Sequence, residues 1–189
     1  MQEKPLLILD LDETLVHACE RDSEKDLRIR QHRQPDFFVG EYAIYKRPGV
    51  DEFLTRVYAV YQIAIWSKGG SGYVEPCVDE LLKGFPEPVF IWSYRRCTRR
   101  FDQEAFEAYY IKDLKKVVKR GFAKERMLIV DDLPSNSERN FGNAVYIAPF
   151  EGEPEDAELE HLAAYLESLA PEPNFRTIEK RYWRHPRQE

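Results

Sequence analysis

Four apolar residues running directly into a pair of carboxylates, Leu6-Leu-Ile-Leu-Asp10-Leu-Asp12, restrict the fold of this chain more than any other stretch. Leu6 to Leu9 is too short to span a membrane and lacks helical spacing, so it reads as a strand buried on both faces, as in parallel sheets. Its C-terminal end presents Asp10 and Asp12, and in open α/β sheets ligands bind at that edge. Residues two apart in an extended segment point the same way, and like charges held close repel unless a cation or a shared proton compensates them. The pair asks for a metal ion. A plain capped turn is the alternative, but a charged pair against four buried apolar residues is expensive without a function.

Further along, a polar stretch from Glu20 to Asp26 precedes alternating segments around Leu27-Arg-Ile-Arg30 and from Phe37 to Tyr45, with turns at Gln34-Pro-Asp36 and Gly40-Glu41. This predicts a small β-insertion over about residues 20–46. Val50, Phe53, Leu54, Val57 and Tyr61 have the spacing of one buried helical face. Gln62 to Trp66 reads as a strand, Ser67 to Gly72 as a flexible turn, and Tyr73 to Lys83 as a helix stopped by Gly84. Pro88 to Trp92, Met127 to Val130 and Asn143 to Ile147 read as strands, Ile111 to Lys119 as a helix closed by Gly121, and Glu155 to Ala170 as a last helix before a basic, aromatic tail. Ser93 to Tyr110 follows neither period. Strands alternating with helices predict an α/β fold with a parallel sheet and right-handed crossovers. At 189 residues, one domain over 1–170 followed by a tail from 171 to 189 is expected.

The segment Asp10-Leu-Asp-Glu-Thr-Leu-Val-His17 resembles the first motif of the haloacid dehalogenase superfamily. More narrowly, it is similar to the FCP/SCP-type, NLI-interacting-factor-like phosphatases of the RNA polymerase II C-terminal domain. Lys46-Arg-Pro-Gly-Val-Asp-Glu-Phe-Leu54, Tyr110-Ile-Lys-Asp-Leu114 and Leu128-Ile-Val-Asp-Asp132 extend the resemblance, which runs from about Lys4 to Phe150. It implies a Rossmann-like core without a large cap domain, and phosphomonoester hydrolysis through an aspartyl-phosphate. Asp10 would be the nucleophile, splitting hydrolysis into two easier steps, and Asp12 the general acid and base. Ser67 and Lys112 would bind the phosphate, with Thr14 in a supporting role. Because nucleophile and substrate are both anionic, Mg²⁺ is implied at Asp10, Asp12, Asp131 and Asp132, with the direct ligand of the last pair mapped onto Asp132. Asp131 would orient Lys112 or a water. Two departures stand out: Ser67-Lys-Gly-Gly replaces the relatives' usual Thr-Ala-Ser, and Asp132 replaces their common Asn.

Between Thr14 and Pro48 there is room only for a short insertion, so an open site is expected. An open cleft suits a phosphoserine or phosphothreonine on a protein better than a free sugar phosphate. A phosphatase for nucleic acid ends or a small metabolite is the enzymatic alternative, and a non-catalytic phospho-recognition module the other. Phe37, Phe38, Tyr42 and Tyr45 read either as core or as an apolar wall for a peptide. The basic cluster Arg95, Arg96, Arg99 and Arg100 reads either as a site for a second phosphate or acidic partner, or as a solvated hairpin. A net charge of −6 disfavours non-specific nucleic acid binding. Cys19, Cys77 and Cys97 form no Cys-x-x-Cys pair, which fits a reducing compartment. With no signal peptide and no transmembrane window, a cytoplasmic protein is expected, or a nuclear one in a eukaryote, neither secreted nor bound to membrane.

Overall fold

The computed structural model describes residues 3–184. In chain order it contains β1 (Leu6–Leu9), β2 (Val16–Glu20), α1 (Glu24–Ile29), β3 (Phe37–Val39), β4 (Tyr42–Lys46), α2 (Val50–Val60), β5 (Gln62–Trp66) and α3 (Ser71–Leu81). These are followed by β6 (Ile91–Trp92), β7 (Thr98–Asp102), β8 (Glu107–Ile111), α4 (Lys115–Val118), β9 (Met127–Asp131), β10 (Ala144–Tyr146) and α5 (Glu158–Leu169). The apolar runs assemble into a five-stranded parallel sheet in the order β10-β9-β1-β5-β6. Leu7, Leu9, Ile63, Ile65, Leu128 and Val130 belong to a core shared with α2, α3 and α5, whereas Leu6, Ile8, Ala64, Trp66 and Ile129 pack with Leu114 and Val117. Burial on both faces removes any need for polar alternation, which is why these strands read as unbroken apolar runs.

From β1 the chain passes to β5 and β6 on one side of the sheet, and later to β9 and β10 on the other. That reversal opens a crevice at the C-terminal end of β1. Leu9 pairs with Ile65 and with Val130. One residue further, Asp10, Trp66 and Asp131 stand at the same level on adjacent strands.

β2, β4 and β3 form the expected antiparallel insertion, turning at Gly40 with φ 54°. Leu27 to Arg30 does not join it as a strand. Those residues lie in or at the end of α1, because Ser23 caps Asp26 N–H and Arg30 pairs with Asp26 one turn away. Tyr45 donates its hydroxyl to the buried Asp26, so Tyr45 is a core residue and not part of an exposed wall.

The helix expected over 111–119 shrinks to the four residues of α4, since Ile111 completes the β7–β8 hairpin and Asn136 and Asn140 hold the backbone of Lys112. Strand pairing in the 88–92 stretch is confined to Ile91 and Trp92, although Val89 N–H donates to the Ile63 carbonyl at 2.7 Å and the Phe90 carbonyl accepts from Ile65 N–H at 3.0 Å. Ser93 to Tyr110 becomes a 3₁₀ turn at Tyr94–Arg96 and then the β7–β8 hairpin. Both faces of that hairpin are largely solvated, so no alternation marks it in the sequence. The tail returns to the sheet: Phe175 is buried, and Trp183 stacks on Tyr165 and donates Nε1–H to the Tyr146 carbonyl at 2.8 Å. Residues 185–189 of the expected tail lie outside the described residues. Among the described residues, no helix is long and apolar enough to cross a membrane.

Candidate active site

Three neighbouring strands deliver side chains to the crevice. β1 ends on Leu9 and is followed by Asp10, β9 ends on Asp131 and is followed by Asp132, and β5 ends on Trp66 and is followed by Ser67. Lys112 enters from the end of β8, fully buried, with Nζ 2.7 Å from an oxygen of Asp10 and 2.7 Å from one of Asp131. The other oxygen of Asp131 accepts from Leu133 N–H at 3.0 Å and Asn136 Nδ2 at 2.7 Å. Three donors thereby fix Asp131, which holds Lys112 against Asp10 and keeps one acceptor site free on the oxygen facing the lysine.

Burial alone would depress the Lys112 ammonium, but the two carboxylates outweigh it and hold it above its ordinary value. Asp10 is pushed well above the usual carboxylate range by burial and by the charge of Asp131, which Lys112 only partly offsets. Asp132, half-buried, is pushed up to about 6 by burial and by Asp131. Ligand oxygens of Asp10, Asp131 and Asp132 lie within 4.8 Å of one another. One ammonium among three crowded carboxylates leaves an uncompensated charge of two, and an all-oxygen donor set of that charge fits Mg²⁺.

The carboxylate of Asp12 stands outside this trio. It accepts from Ser67 Oγ at 3.0 Å and from the Tyr73 hydroxyl, and its burial pushes it up from the usual range. Ser67, fully buried, also accepts from Gly69 N–H at 2.8 Å. The expected plain flexible turn is in fact a close fit: a Cβ on Gly69 would sit 2.9 Å from Tyr73 Cδ1 and 3.2 Å from Ser67 Oγ. Gly69→Ala is therefore expected to cost about 1–3 kcal/mol in thermal unfolding and to raise KM by displacing Ser67 and Tyr73 from Asp12. Thr14, two residues after Asp12, is fully buried, and its hydroxyl has no hydrogen-bond partner among the described residues.

Three residues of the site escaped the sequence reading. Tyr73 sits one turn into α3, and its only sequence signal is its spacing from Ser67. Asn136 links three segments: besides holding Asp131, it accepts from Lys68 Nζ at 3.0 Å and from Lys112 N–H at 2.7 Å. Arg47, buried, makes a bidentate pair with Asp156 at 2.8 and 2.7 Å and donates to the Thr14 carbonyl, bracing the loop behind Asp12. Tyr42 of the insertion meets Tyr73 edge-on, with ring centroids 5.6 Å apart, and is 45% exposed. It is the aromatic of the expected wall that reaches the site.

A parallel sheet carrying an aspartate loop after its central strand, with a lysine and further aspartates converging on it, defines a haloacid dehalogenase-like fold. A haloacid dehalogenase-like family hydrolase from Xanthomonas campestris aligns with a TM-score of 0.53 at 13% identity, covering 90% of this chain and 98% of that one. The pattern of the NLI interacting factor-like phosphatases matches residues 5–176, and the chain belongs to that family. Nuclear envelope morphology protein 1 of Saccharomyces cerevisiae is 30% identical over 191 residues, covering 94% of this chain and 42% of that protein. The human carboxy-terminal domain RNA polymerase II polypeptide A small phosphatase 1 is 29% identical over 170 residues, covering 89% and 60%. The chain thus spans about half the length of the relatives it matches.

Proposed function

We propose that this chain is a magnesium-dependent phosphatase that hydrolyses phosphoserine or phosphothreonine in a protein through an aspartyl-phosphate on Asp10. The single observation that carries the reading is Lys112, buried and bonded at 2.7 Å to both Asp10 and Asp131, which fixes one carboxylate of a site with excess negative charge at the C-terminal edge of the sheet.

Asp10 attacks phosphorus, the Asp10–P bond forms as the bond to the leaving oxygen breaks, and the protonated Asp12 gives that oxygen its proton. Asp12 then takes a proton from water as the water attacks phosphorus and the Asp10–P bond breaks. Its raised affinity for a proton suits the first role. Ser67 turns its hydroxyl from Asp12 to a phosphoryl oxygen, and Lys112 offsets charge on the nucleophile. Asp10, Asp131 and Asp132 would hold Mg²⁺, which supplies positive charge to the phosphoryl oxygens when bound. Between Thr14 and Pro48 the chain inserts only three short strands and a six-residue helix, so a side chain on a protein can reach Asp10. The human relative is by its name a phosphatase of the RNA polymerase II C-terminal domain, which supports a phosphoprotein substrate. A cytoplasmic or nuclear location accords with such a substrate.

Phosphate release should be measured on phosphoserine peptides, 3′-phosphorylated oligonucleotides and sugar phosphates, in magnesium and in chelator. The highest kcat/KM is expected on the peptides, falling at least about tenfold in chelator and returning with Mg²⁺. A higher rate on oligonucleotides or sugars, or turnover indifferent to chelator, would overturn this assignment.

A further inference from the structure

On the β6 flank of the active-site edge, Arg95 and Arg96 from the 3₁₀ turn and Lys116, Lys119 and Arg120 from α4 and its end line a cavity of about 610 Å³ around Trp92. In a chain of net charge −6, five cations lie together with no carboxylate lining the cavity, and none of the five forms an ion pair among the described residues. Three of them are fixed by contacts with the fold. Arg96 lies 5.4 Å from the Trp92 ring centre, Arg120 lies 5.2 Å from that of Phe90 and 5.8 Å from that of Trp92, and the two rings stack at 4.1 Å. Lys116 Nζ donates to the carbonyls of Arg96 and Cys97 at 2.7 and 3.1 Å, tying α4 to the turn. Three of the five cations are thus held in place, and a bound anion would relieve the repulsion among them.

Its place in the fold points to the ligand. Trp92 closes β6, and its carbonyl accepts from Ser67 N–H at 2.9 Å, so one wall of the cavity continues into the phosphoryl site. Trp92 pairs with Trp66, which stands level with Asp10 one strand over. Two strand spacings separate Asp10 from Trp92, roughly 10 Å, a distance crossed by about three residues of extended peptide. Guanidinium forks match phosphate and carboxylate groups.

We propose that this cavity docks an anionic segment of the same phosphoprotein whose phosphorylated residue occupies the site at Asp10, with its acidic or phosphorylated side chains three to six positions away. The inference rests on the phosphopeptide reading above and adds a specificity element to it.

The test uses the full chain and three substrates: a chromogenic phosphate ester, a monophosphopeptide with neutral flanks, and the same peptide with a second phosphoserine four positions to either side. KM for one of the doubly phosphorylated peptides is expected to be about tenfold lower than for the monophosphopeptide, with kcat unchanged. An Arg95→Glu/Lys119→Glu variant, altered at two exposed positions away from Asp10, should lose that gain and keep its rate on the chromogenic ester. Fluorescence anisotropy of the doubly phosphorylated peptide in chelator reads docking without turnover. If ester and peptides are not hydrolysed, the phosphatase reading fails while the binding arm still reports on the cavity. Equal affinity of the wild-type protein for the two kinds of peptide would overturn the inference, as would a gain that survives charge reversal. It would equally be overturned if the variant lost binding to phosphatidylserine vesicles or single-stranded oligonucleotide while peptide affinity stayed the same.

Discussion

Asp10→Asn is expected to lower turnover of a chromogenic phosphate ester by at least about 10⁴-fold, a loss of about 5.5 kcal/mol of transition-state stabilisation, while leaving the fold in place. The amide keeps the shape of the carboxylate and an oxygen that accepts from Lys112 Nζ, now 2.7 Å from Asp10. It cannot form the acyl phosphate, because an amide is not a competent nucleophile at phosphorus. The substitution also removes one of three crowded negative charges, the one pushed well above the usual carboxylate range by burial and by Asp131. Thermal unfolding in chelator should therefore show no loss of stability. Steady-state rates and calorimetry on the same preparation check both halves; activity above about one per cent would move the nucleophile elsewhere.

Lys112→Met should damage both stability and rate. The methionine fills most of the volume, but Asp10 and Asp131 are left buried without the cation that lies 2.7 Å from each. Removing one partner from a buried ionic cluster costs about 3–5 kcal/mol, because the surviving charges are uncompensated. In a chain of this size each kcal/mol corresponds to about 2–4 °C, so the midpoint in chelator should fall by roughly 6–20 °C. Turnover should fall by about 10²–10³-fold, in the range typical of removing one electrostatic stabiliser. Because the carboxylate trio survives, added Mg²⁺ should restore more of the lost midpoint in the variant than it adds to the wild type. A variant as stable as the wild type in chelator would mean that Asp10, whose carboxyl burial pushes well above the usual range, is already protonated there.

Much of this arrangement is legible in the chain itself. The runs at Leu6, Gln62 and Met127 announce strands and end on polar residues that the sheet gathers: Asp10, Ser67 and Asp131. The misreadings have local causes. Leu27 to Arg30 alternates like a strand, but a cap at Ser23 and the Asp26–Arg30 pair one turn apart stabilise a helix there. Lys112 sits in a sequence with helix-forming neighbours, yet backbone bonds to Asn136 and Asn140 draw it out of the helix and aim it at Asp10.

What the sequence by itself determined is the chain order of the central sheet's strands and of the longer helices, the α/β class and the polar residues at strand ends, because apolar period and the residues that break it act over a few positions. Only the tertiary structure decided the partners across the crevice. Tyr73 meets Asp12 from 61 residues away, Arg47 meets Asp156 from 109, and Lys68 meets Asn136 from 68. Such contacts depend on which strand ends become neighbours, and that follows from the sheet order. Asp10 and Asp12 began as two carboxylates sharing one need for a cation. In the folded chain Asp10 joins Asp131, Asp132 and Lys112, while the carboxylate of Asp12 turns to Ser67 and Tyr73. The loop that closes at Leu11, whose carbonyl accepts from Leu15 and Val16, bends the chain between them and sends two similar side chains into different surroundings.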